Sequence, residues 1–293
     1  MWQGVQMTLV LLTVNGHPDD EVVTVGGVMA RYAAEGARVI AVMATRGECG
    51  EIVAPDLDTP ENRAHLGDVR THELERGLAR LGAVEHRWLG YRDSGMDGAP
   101  ENADPRSFLR ADPDEAAERL LVLIREVRPQ VIVAPNAYGG DGHPDHIRAS
   151  LIARLAFDRA GDETWAPGKL YASTDDLQRL EKLKRLLRAG NLTEVAGLGW
   201  RLARVWRPRD EALRRRVAAA QGPVTTRVDI GAYLGAKYAA MREHRTQIDP
   251  RSTRFAVTPE QRLRTNPTEN FSLVRARGVN LSLPEDDLFA GLR

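Results

Sequence analysis

Residues 8–21 read TLVLLTVNGHPDDE, in which an apolar run passes directly into a polar motif. The run at 8–14 has the length and the unbroken apolar character of a strand that is buried on both faces. Apolar residues then recur at helical spacing over 22–32, and Gly36 is placed to end that helix. A strand that leads through a short turn into a helix is the repeating unit of a parallel sheet with helices on both faces.

The same alternation continues to about residue 175. Further strands are predicted at 39–44, 87–90, 131–135 and 169–173, and further helices at 71–81, 114–127 and 146–160. We therefore predict an α/β fold with a Rossmann-like, doubly wound and mostly parallel sheet. We expect one domain over residues 1–293. It would consist of an α/β core at 7–175, a basic helical insert at 177–220, and a C-terminal extension at 221–293 that completes the site or covers the sheet.

A second polar loop reads GGDGHPDH over residues 139–146. It follows the strand predicted at 131–135 and, like the first loop, it leads into a helix. In a doubly wound sheet with strand order 3-2-1-4, strands one and four are neighbours, and ligands bind beyond their carboxyl ends. The two loops are therefore expected to face each other across one crevice, although they are far apart in the sequence.

The residue types in the two loops are those of a catalytic metal site. Zinc accepts imidazole nitrogen and carboxylate oxygen, and a catalytic zinc keeps one position for water. His17, Asp20 and His146 would supply three such ligands. We predict one Zn²⁺ ion, although Fe²⁺ or another divalent metal also suits this ligand set.

Three neighbouring residues have the chemistry that hydrolysis needs. Asp19 could take a proton from water, whose pKa zinc lowers to about 7. His143 could stabilise an oxyanion or protonate a leaving amine, with Asp145 orienting it. Two simpler interpretations stay open: Asp19 and Asp20 could only cap the following helix, and His143 could be a structural loop histidine.

At these residues the chain resembles the PIG-L/LmbE-like zinc deacetylases, which remove acetyl groups from N-acetylglucosamine-type sugars. The resemblance rests on HPDDE at 17–21 and HPDH at 143–146. Four further segments resemble the mycothiol branch, which contains an acetylglucosaminyl-inositol deacetylase and a mycothiol S-conjugate amidase. These segments are GECGE at 47–51, RDSGM at 92–96, HRTQ at 244–247 and EDDLFAG at 285–291.

The resemblance implies the roles already suggested for the two loops: zinc bound by His17, Asp20 and His146, Asp19 as general base, and His143 stabilising the tetrahedral intermediate with help from Asp145. It also implies contacts with the substrate. Glu51, Arg70 and Asp93 match positions that touch the sugar or the inositol in the mycothiol branch. His244 is either a surface residue or a further group that reaches into the site.

One position departs from the family pattern. The inositol-sugar deacetylase has a catalytic tyrosine two residues before the first histidine of the second loop, where this chain has Asp141. Tyr138 is close but not aligned with that position. The conjugate amidase typically has a lysine soon after its first metal motif, whereas this chain reads VVTV at 22–25, which favours a deacetylase.

The predicted function is therefore metal-dependent removal of the N-acetyl group from an N-acetylglucosamine-type sugar, such as its inositol glycoside. The alternatives are a mycothiol S-conjugate amidase, a deacetylase of a lipid-linked or secondary-metabolite amino sugar, and a non-enzymatic binding module. Cys49 as a nucleophile would need a histidine partner that the sequence does not show. The glycines at 139–142 lack the Lys-Ser/Thr of a phosphate-binding loop, and no Gly-x-Gly-x-x-Gly dinucleotide motif is present.

Composition excludes several other classes. With 41 basic and 41 acidic residues the net charge is zero, so binding of nucleic acid through bulk charge is not expected. A single cysteine excludes an internal disulfide and favours a reducing, cytoplasmic location. No apolar run approaches the roughly 18 residues of a membrane span. The basic segment 177–220 could contact an anionic membrane, but a helical hairpin packed on the domain is favoured.

Overall fold

The structure is a computed structural model that describes residues 8–174, 219, 222–252, 255 and 257–293. The basic helical insert predicted at 177–220, with its suggested membrane contact, lies outside these residues apart from residue 219. The side chain of Asp141 lies outside them as well.

One sheet runs through the centre of the molecule and contains seven strands within the described residues. These are β1 (Val10–Asn15), β2 (Arg38–Met43), β3 (Val84–Trp88), β4 (Val131–Ala134), β5 (Lys169–Ser173), β6 (Thr226–Asp229) and β7 (Thr268–Ala276). Their order across the sheet is β3-β2-β1-β4-β5-β7-β6. Strands β1 to β5 are parallel, whereas β7 is antiparallel to its neighbours β5 and β6. The predicted α/β fold with a doubly wound, mostly parallel sheet is confirmed.

Strands β1 and β4 lie side by side in the middle of this sheet. Leu11 pairs with Val131 and Leu12 pairs with Ile132. Strands β2 and β3 lie on one side of this pair and β5 lies on the other, so the chain reverses its direction of winding here. The loops that follow β1 and β4 therefore open at the same edge of the sheet, next to each other, as predicted.

Helices cover both faces of the sheet. They are α1 (Asp20–Thr24), α2 (Gly26–Ala34), α3 (Pro60–Ala64), α4 (Leu66–Leu81), α5 (Pro113–Val127), α6 (Gly139–Gly142), α7 (Pro144–Arg159), α8 (Leu234–Glu243) and α9 (Pro259–Thr265). Leu11 of β1 packs with Tyr32 in the apolar core on one face, whereas its neighbour Leu12 packs with Leu120 in the core on the other. The unbroken apolar run at 8–14 is explained, because successive side chains of a strand enter opposite faces and both faces are covered here.

The helix predicted over 22–32 is interrupted and forms two helices, α1 and α2. The break is at Val25, whose backbone is not helical, with φ −132° and ψ 10°. The Glu269 carboxylate of β7 accepts hydrogen bonds from the backbone N–H groups of Gly27 (3.0 Å) and Val28 (2.8 Å). The first N–H groups of a helix need partners, so a buried carboxylate at this point starts a new helix. The prediction of one continuous helix was wrong because its capping group lies far along the chain.

Glu269 also faces a buried cation, and this pair allows a test of the fold. The Lys237 Nζ atom lies 2.5 Å from Glu269 Oε1, and both side chains are almost fully buried. E269A would remove the carboxylate that faces this ammonium group, and we expect the free energy of unfolding to fall by about 3–5 kcal/mol. Urea denaturation measures the loss. E260A, at an exposed position of α9, is the control; an equal loss in both variants would contradict this assignment.

The C-terminal extension is part of the sheet rather than a cover over it. It supplies β6 and β7, and α8 packs against α2 and α4. Its final segment folds back onto the sheet, where Glu285 accepts hydrogen bonds from Lys169 Nζ (2.6 Å) and from the Tyr171 hydroxyl (2.5 Å). Within the part of the chain described, no helix has both the length and the apolar character needed to cross a membrane.

Candidate active site

The two polar loops meet beyond the carboxyl ends of β1 and β4. His17 Nδ1 and His146 Nε2 are 3.2 Å apart, and Asp20 Oδ2 lies 3.1 Å from His146 Nε2 and 3.8 Å from His17 Nδ1. Zinc binds such atoms at about 2.0–2.2 Å, and a tetrahedral arrangement then puts its ligand atoms roughly 3.3 Å apart. The three side chains that the sequence predicts as ligands thus have the spacing that one small divalent cation requires.

Hydrogen bonds on the outer side of each ring hold the two histidines in place. His146 Nδ1 lies 2.9 Å from the carbonyl oxygen of Gly139, so this nitrogen carries a proton and Nε2 is directed toward the other converging groups. His17 Nε2 lies 3.1 Å from Asp145 Oδ2 and 3.5 Å from Asp93 Oδ1, which turns its Nδ1 inward. A carboxylate behind a histidine in this way fixes the ring orientation of a metal ligand and raises its basicity.

The electrostatics of the cluster favour positive charge at its centre. Burial disfavours a charged His17 ring, but hydrogen bonds to Asp145 and Asp93 outweigh burial and raise its pKa to about 9. Burial likewise opposes ionisation of Asp20, yet His146 and His17 hold the pKa of its carboxyl well below the usual value. A divalent cation would supply the positive charge that these carboxylates favour.

Asp145 serves a different histidine from the one predicted. Its fully buried carboxylate accepts hydrogen bonds from His17 and from the Ser94 hydroxyl and backbone N–H. The backbone of Asp145 bonds the predicted partner, since its N–H donates to His143 Nδ1 over 3.2 Å. Sequence reasoning missed Ser94, although it lies in the RDSGM segment directly after Asp93.

His143 lies against both histidines that are predicted as ligands. Its ring centre is 4.5 Å from that of His17 and 4.9 Å from that of His146. Burial and the charges of these two rings lower the pKa of His143 to about 4. At neutral pH the ring is therefore uncharged, and because Nδ1 accepts a hydrogen bond, the proton is on Nε2. Such a ring can donate to an oxyanion.

A second ligand set is geometrically available. Nitrogen atoms of His17, His143 and His146 lie within 4.8 Å of one another, as a three-histidine site would require. We prefer Asp20 as the third ligand for two reasons: its carboxylate is ionised and 3.1 Å from His146, and His143 Nδ1 already accepts a backbone hydrogen bond.

Asp19 has a strained backbone that neighbouring groups hold in place. Its φ of 112° lies in the left-handed region, which is rare for residues other than glycine, and its side chain makes no cap hydrogen bond to α1. Arg70 Nη2 donates to the carbonyl oxygen of Pro18 (2.6 Å) and to Asp19 Oδ1 (3.1 Å), and the Asp19 N–H donates to Glu21 Oε2 (2.9 Å). Burial raises the pKa of the Asp19 carboxyl despite the opposing charge of Arg70.

The four predicted substrate contacts divide into one exposed residue and three buried ones. Glu51 is exposed, whereas Arg70 (4% exposed), Asp93 (3%) and His244 (0%) are not. Arg70 bonds the first loop, Asp93 accepts N–H groups of Cys49 and Gly95, and His244 faces Glu21. In the structure these three buried side chains support the loops from behind and do not face a substrate. The interpretation of His244 as a surface residue was wrong.

Glycines surround the buried Arg70 because nothing larger would fit. A Cβ atom at Gly47 or Gly50 would lie 2.2 or 2.7 Å from Arg70 Nη1. Cys49, between these glycines, is half-buried and donates its N–H to Asp93. Burial and the nearby Asp93 carboxylate raise the pKa of its thiol to about 12, which disfavours the nucleophilic thiolate.

Known proteins resemble this chain in sequence and in fold. The model of the PIG-L family, described as GlcNAc-PI de-N-acetylase, matches residues 12–157. A relative from Nocardiopsis dassonvillei, named 1D-myo-inositol 2-acetamido-2-deoxy-alpha-D-glucopyranoside deacetylase, is 41% identical over 296 residues, which cover 96% of this chain and 100% of the relative. The chain belongs to the PIG-L family. The relatives that match it in sequence are named as deacetylases, and this PIG-L protein is accordingly a hydrolase of amide bonds.

Solved structures similar to this PIG-L protein support the fold alone. N,N'-diacetylchitobiose deacetylase from Pyrococcus horikoshii has a TM-score of 0.57 and 19% identity, over 90% of this chain and 83% of that one. GalB, the 4-carboxy-2-hydroxymuconate hydratase from Pseudomonas putida, has a TM-score of 0.56 and 20% identity, over 94% of this chain and 100% of that one. A deacetylase and a hydratase therefore share the architecture, so the reaction has to be argued from the site.

Proposed function

We propose that this PIG-L protein removes the acetyl group from an N-acetylglucosamine-type sugar, with the inositol glycoside of N-acetylglucosamine as the favoured substrate and zinc as the favoured metal. The observation that carries the proposal is the convergence of His17, Asp20 and His146, with Asp19 directly before Asp20 in the chain and its carboxylate held by Arg70. The substrate follows from the name of the Nocardiopsis relative, whose whole length this chain matches.

The chain's own residues divide the work of hydrolysis. When bound by His17, Asp20 and His146, a divalent cation supplies a Lewis acid and makes water more acidic. Asp19 takes a proton from the attacking water, and Arg70 holds the carboxylate in position to do so. His143 donates its Nε2–H to the oxygen that becomes negative as the acetamide carbonyl is attacked. The carbon–nitrogen bond then breaks, the amine takes the proton from Asp19, and acetate and free amino sugar are released.

The buried groups behind this site keep it rigid. Asp145 and Asp93 hold the His17 ring, Ser94 in turn holds Asp145, and the Gly139 carbonyl holds His146. Catalytic geometry tolerates displacements of only about 1 Å before the rate falls by roughly two orders of magnitude, so these contacts matter even without touching the substrate. Glu51 is proposed as a contact to the sugar or inositol, because it is exposed beside the loop that packs on Arg70.

Parallel assays of acetate and free-amine release would test the function. The substrates are N-acetylglucosamine, its inositol glycoside and a mycothiol S-conjugate, each with zinc-loaded and iron-loaded protein. We expect the inositol glycoside to be turned over fastest, with one acetate released per amine. Faster turnover of the S-conjugate would replace the proposal with the amidase, and metal-bound protein that releases nothing from any of the three would overturn it.

We propose a small amino-sugar substrate as the partner and expect no nucleic acid, since the net charge is zero. A cytoplasmic location is proposed from the single cysteine.

A further inference from the structure

A buried histidine and a buried glutamate lie behind the first metal loop and take no part in the proposed reaction. His244 follows α8 and Glu21 lies in α1, and neither has any exposed surface. His244 Nε2 is 3.3 Å from Glu21 Oε1. Burial opposes a charged ring, but Glu21, with Asp19 and Glu73 nearby, raises the pKa of His244. Burying two ionisable groups of this kind costs desolvation free energy, so we expect the pair to have a role in the protein.

Glu21 connects this pair to the backbone of Asp19. Its second carboxylate oxygen, Oε2, accepts the Asp19 N–H over 2.9 Å. That hydrogen bond forms at the residue whose φ of 112° is unfavourable for an aspartate. Arg70 holds the same turn from the other side through the Pro18 carbonyl and the Asp19 carboxylate. A strained backbone persists only where surrounding contacts over-determine it, and Glu21 supplies the contact at the N–H.

His244 is itself held firmly against Glu21. A Cβ atom at Gly77 of α4 would lie 2.7 Å from His244 Nε2, so α4 closes tightly on the ring. Two residues on, Thr246 donates its backbone N–H (2.8 Å) and its hydroxyl (2.5 Å) to the buried carboxylate of Glu73, also on α4. Helix α4 thus packs closely on the ring and also anchors the segment that follows it.

We propose that His244 is a positioning residue for Asp19, which acts through Glu21 to hold the Asp19 backbone in its left-handed conformation. The inference rests on the proposed function, because that function makes Asp19 the general base. It also gives the C-terminal extension a role in the site: the HRTQ segment at 244–247 supports the catalytic turn from behind, without touching substrate or metal.

The test compares His244→Gln and Glu21→Gln with the wild-type protein. His72→Gln is the matched control, because His72 on α4 forms a similar pair with Glu75 (3.2 Å) but at the surface. We expect kcat for acetate release to fall at least tenfold in both buried variants, with KM within about twofold and full metal content. Backbone hydrogen exchange in the peptide spanning 16–24 should also become faster. The control should match the wild type in each measurement.

A double variant separates positioning from general structural support. If His244 acts through Asp19, adding His244→Gln to Asp19→Ala should cost almost nothing further in kcat, because the group being positioned is already gone. Equal fold losses in both backgrounds would overturn the inference. So would a kcat loss that merely follows the folded fraction in thermal unfolding, or an effect on KM alone. Glu21→Gln, which keeps the size of the side chain but loses the charge that faces His244, guards against a His244 variant that does not fold.

Failure of the proposed function would be visible in other arms of the same experiment. Wild-type protein that releases no acetate, or Asp19→Ala protein that works normally, would overturn the function and with it this inference. Active wild type and impaired Asp19→Ala, combined with unaffected His244→Gln and unchanged exchange at 16–24, would overturn the inference alone.

Discussion

Replacing Asp19 with alanine is expected to lower kcat by a factor of about 10²–10⁴, which is the usual contribution of a general base. KM and metal content should remain near the wild-type values, because the carboxylate of Asp19 bonds Arg70 and is not one of the three converging ligand groups. Acetate release and metal analysis on the same protein preparation measure all three quantities.

Asp68→Ala is a suitable control for this experiment. Asp68 pairs with Arg46 on the surface, so it offers the same chemical change at an exposed position. Its kcat should equal that of the wild type. Normal turnover by metal-loaded Asp19→Ala protein would rule out Asp19 as the base and would leave its ion pair with Arg70 as its role.

Replacing His146 with alanine is expected to reduce bound metal to well below one ion per chain and to abolish turnover. Two ligands would remain, and the loss would also remove the ring that stabilises the ionised Asp20 carboxylate. Metal content after dialysis against a weak chelator gives the result without relying on activity. His72→Ala, at an exposed position, should retain the metal.

The same measurement on His143→Ala distinguishes the set with Asp20 from the three-histidine set. If His17, Asp20 and His146 hold the cation, His143→Ala keeps the metal and loses mainly kcat. If the three histidines hold it, His143→Ala loses the metal as His146→Ala does, and Asp20→Ala retains it. The structure favours the first result for two reasons. Asp20 Oδ2 lies 3.1 Å from His146 Nε2, which is the spacing of two ligands of one ion. His143 Nδ1 already accepts a backbone hydrogen bond.

Local sequence patterns predicted much of the central sheet. The apolar run at 8–14 predicted β1, because Leu11 and Leu12 enter different cores and both must be apolar. Predicting 131–135 as the fourth strand placed the two polar loops side by side, since neighbouring parallel strands end at one edge of the sheet. The break at Val25 and the two added strands β6 and β7 were not foreseen, because both depend on segments that meet only after folding.

The sequence by itself determined which residues can bind a cation and where along the chain they occur, since imidazole and carboxylate groups after parallel strands carry that information. Only the tertiary structure decided which carboxylate or guanidinium group bonds which partner in the site. Asp145 is two residues from His143 in the chain, yet its carboxylate bonds His17, 128 residues away. Arg70 on α4 likewise bonds Asp19, and His244 at the end of α8 faces Glu21. The physical reason is that short sequence separation sets backbone contacts, whereas the partner of a buried side chain is set by whichever strands and helices pack against it.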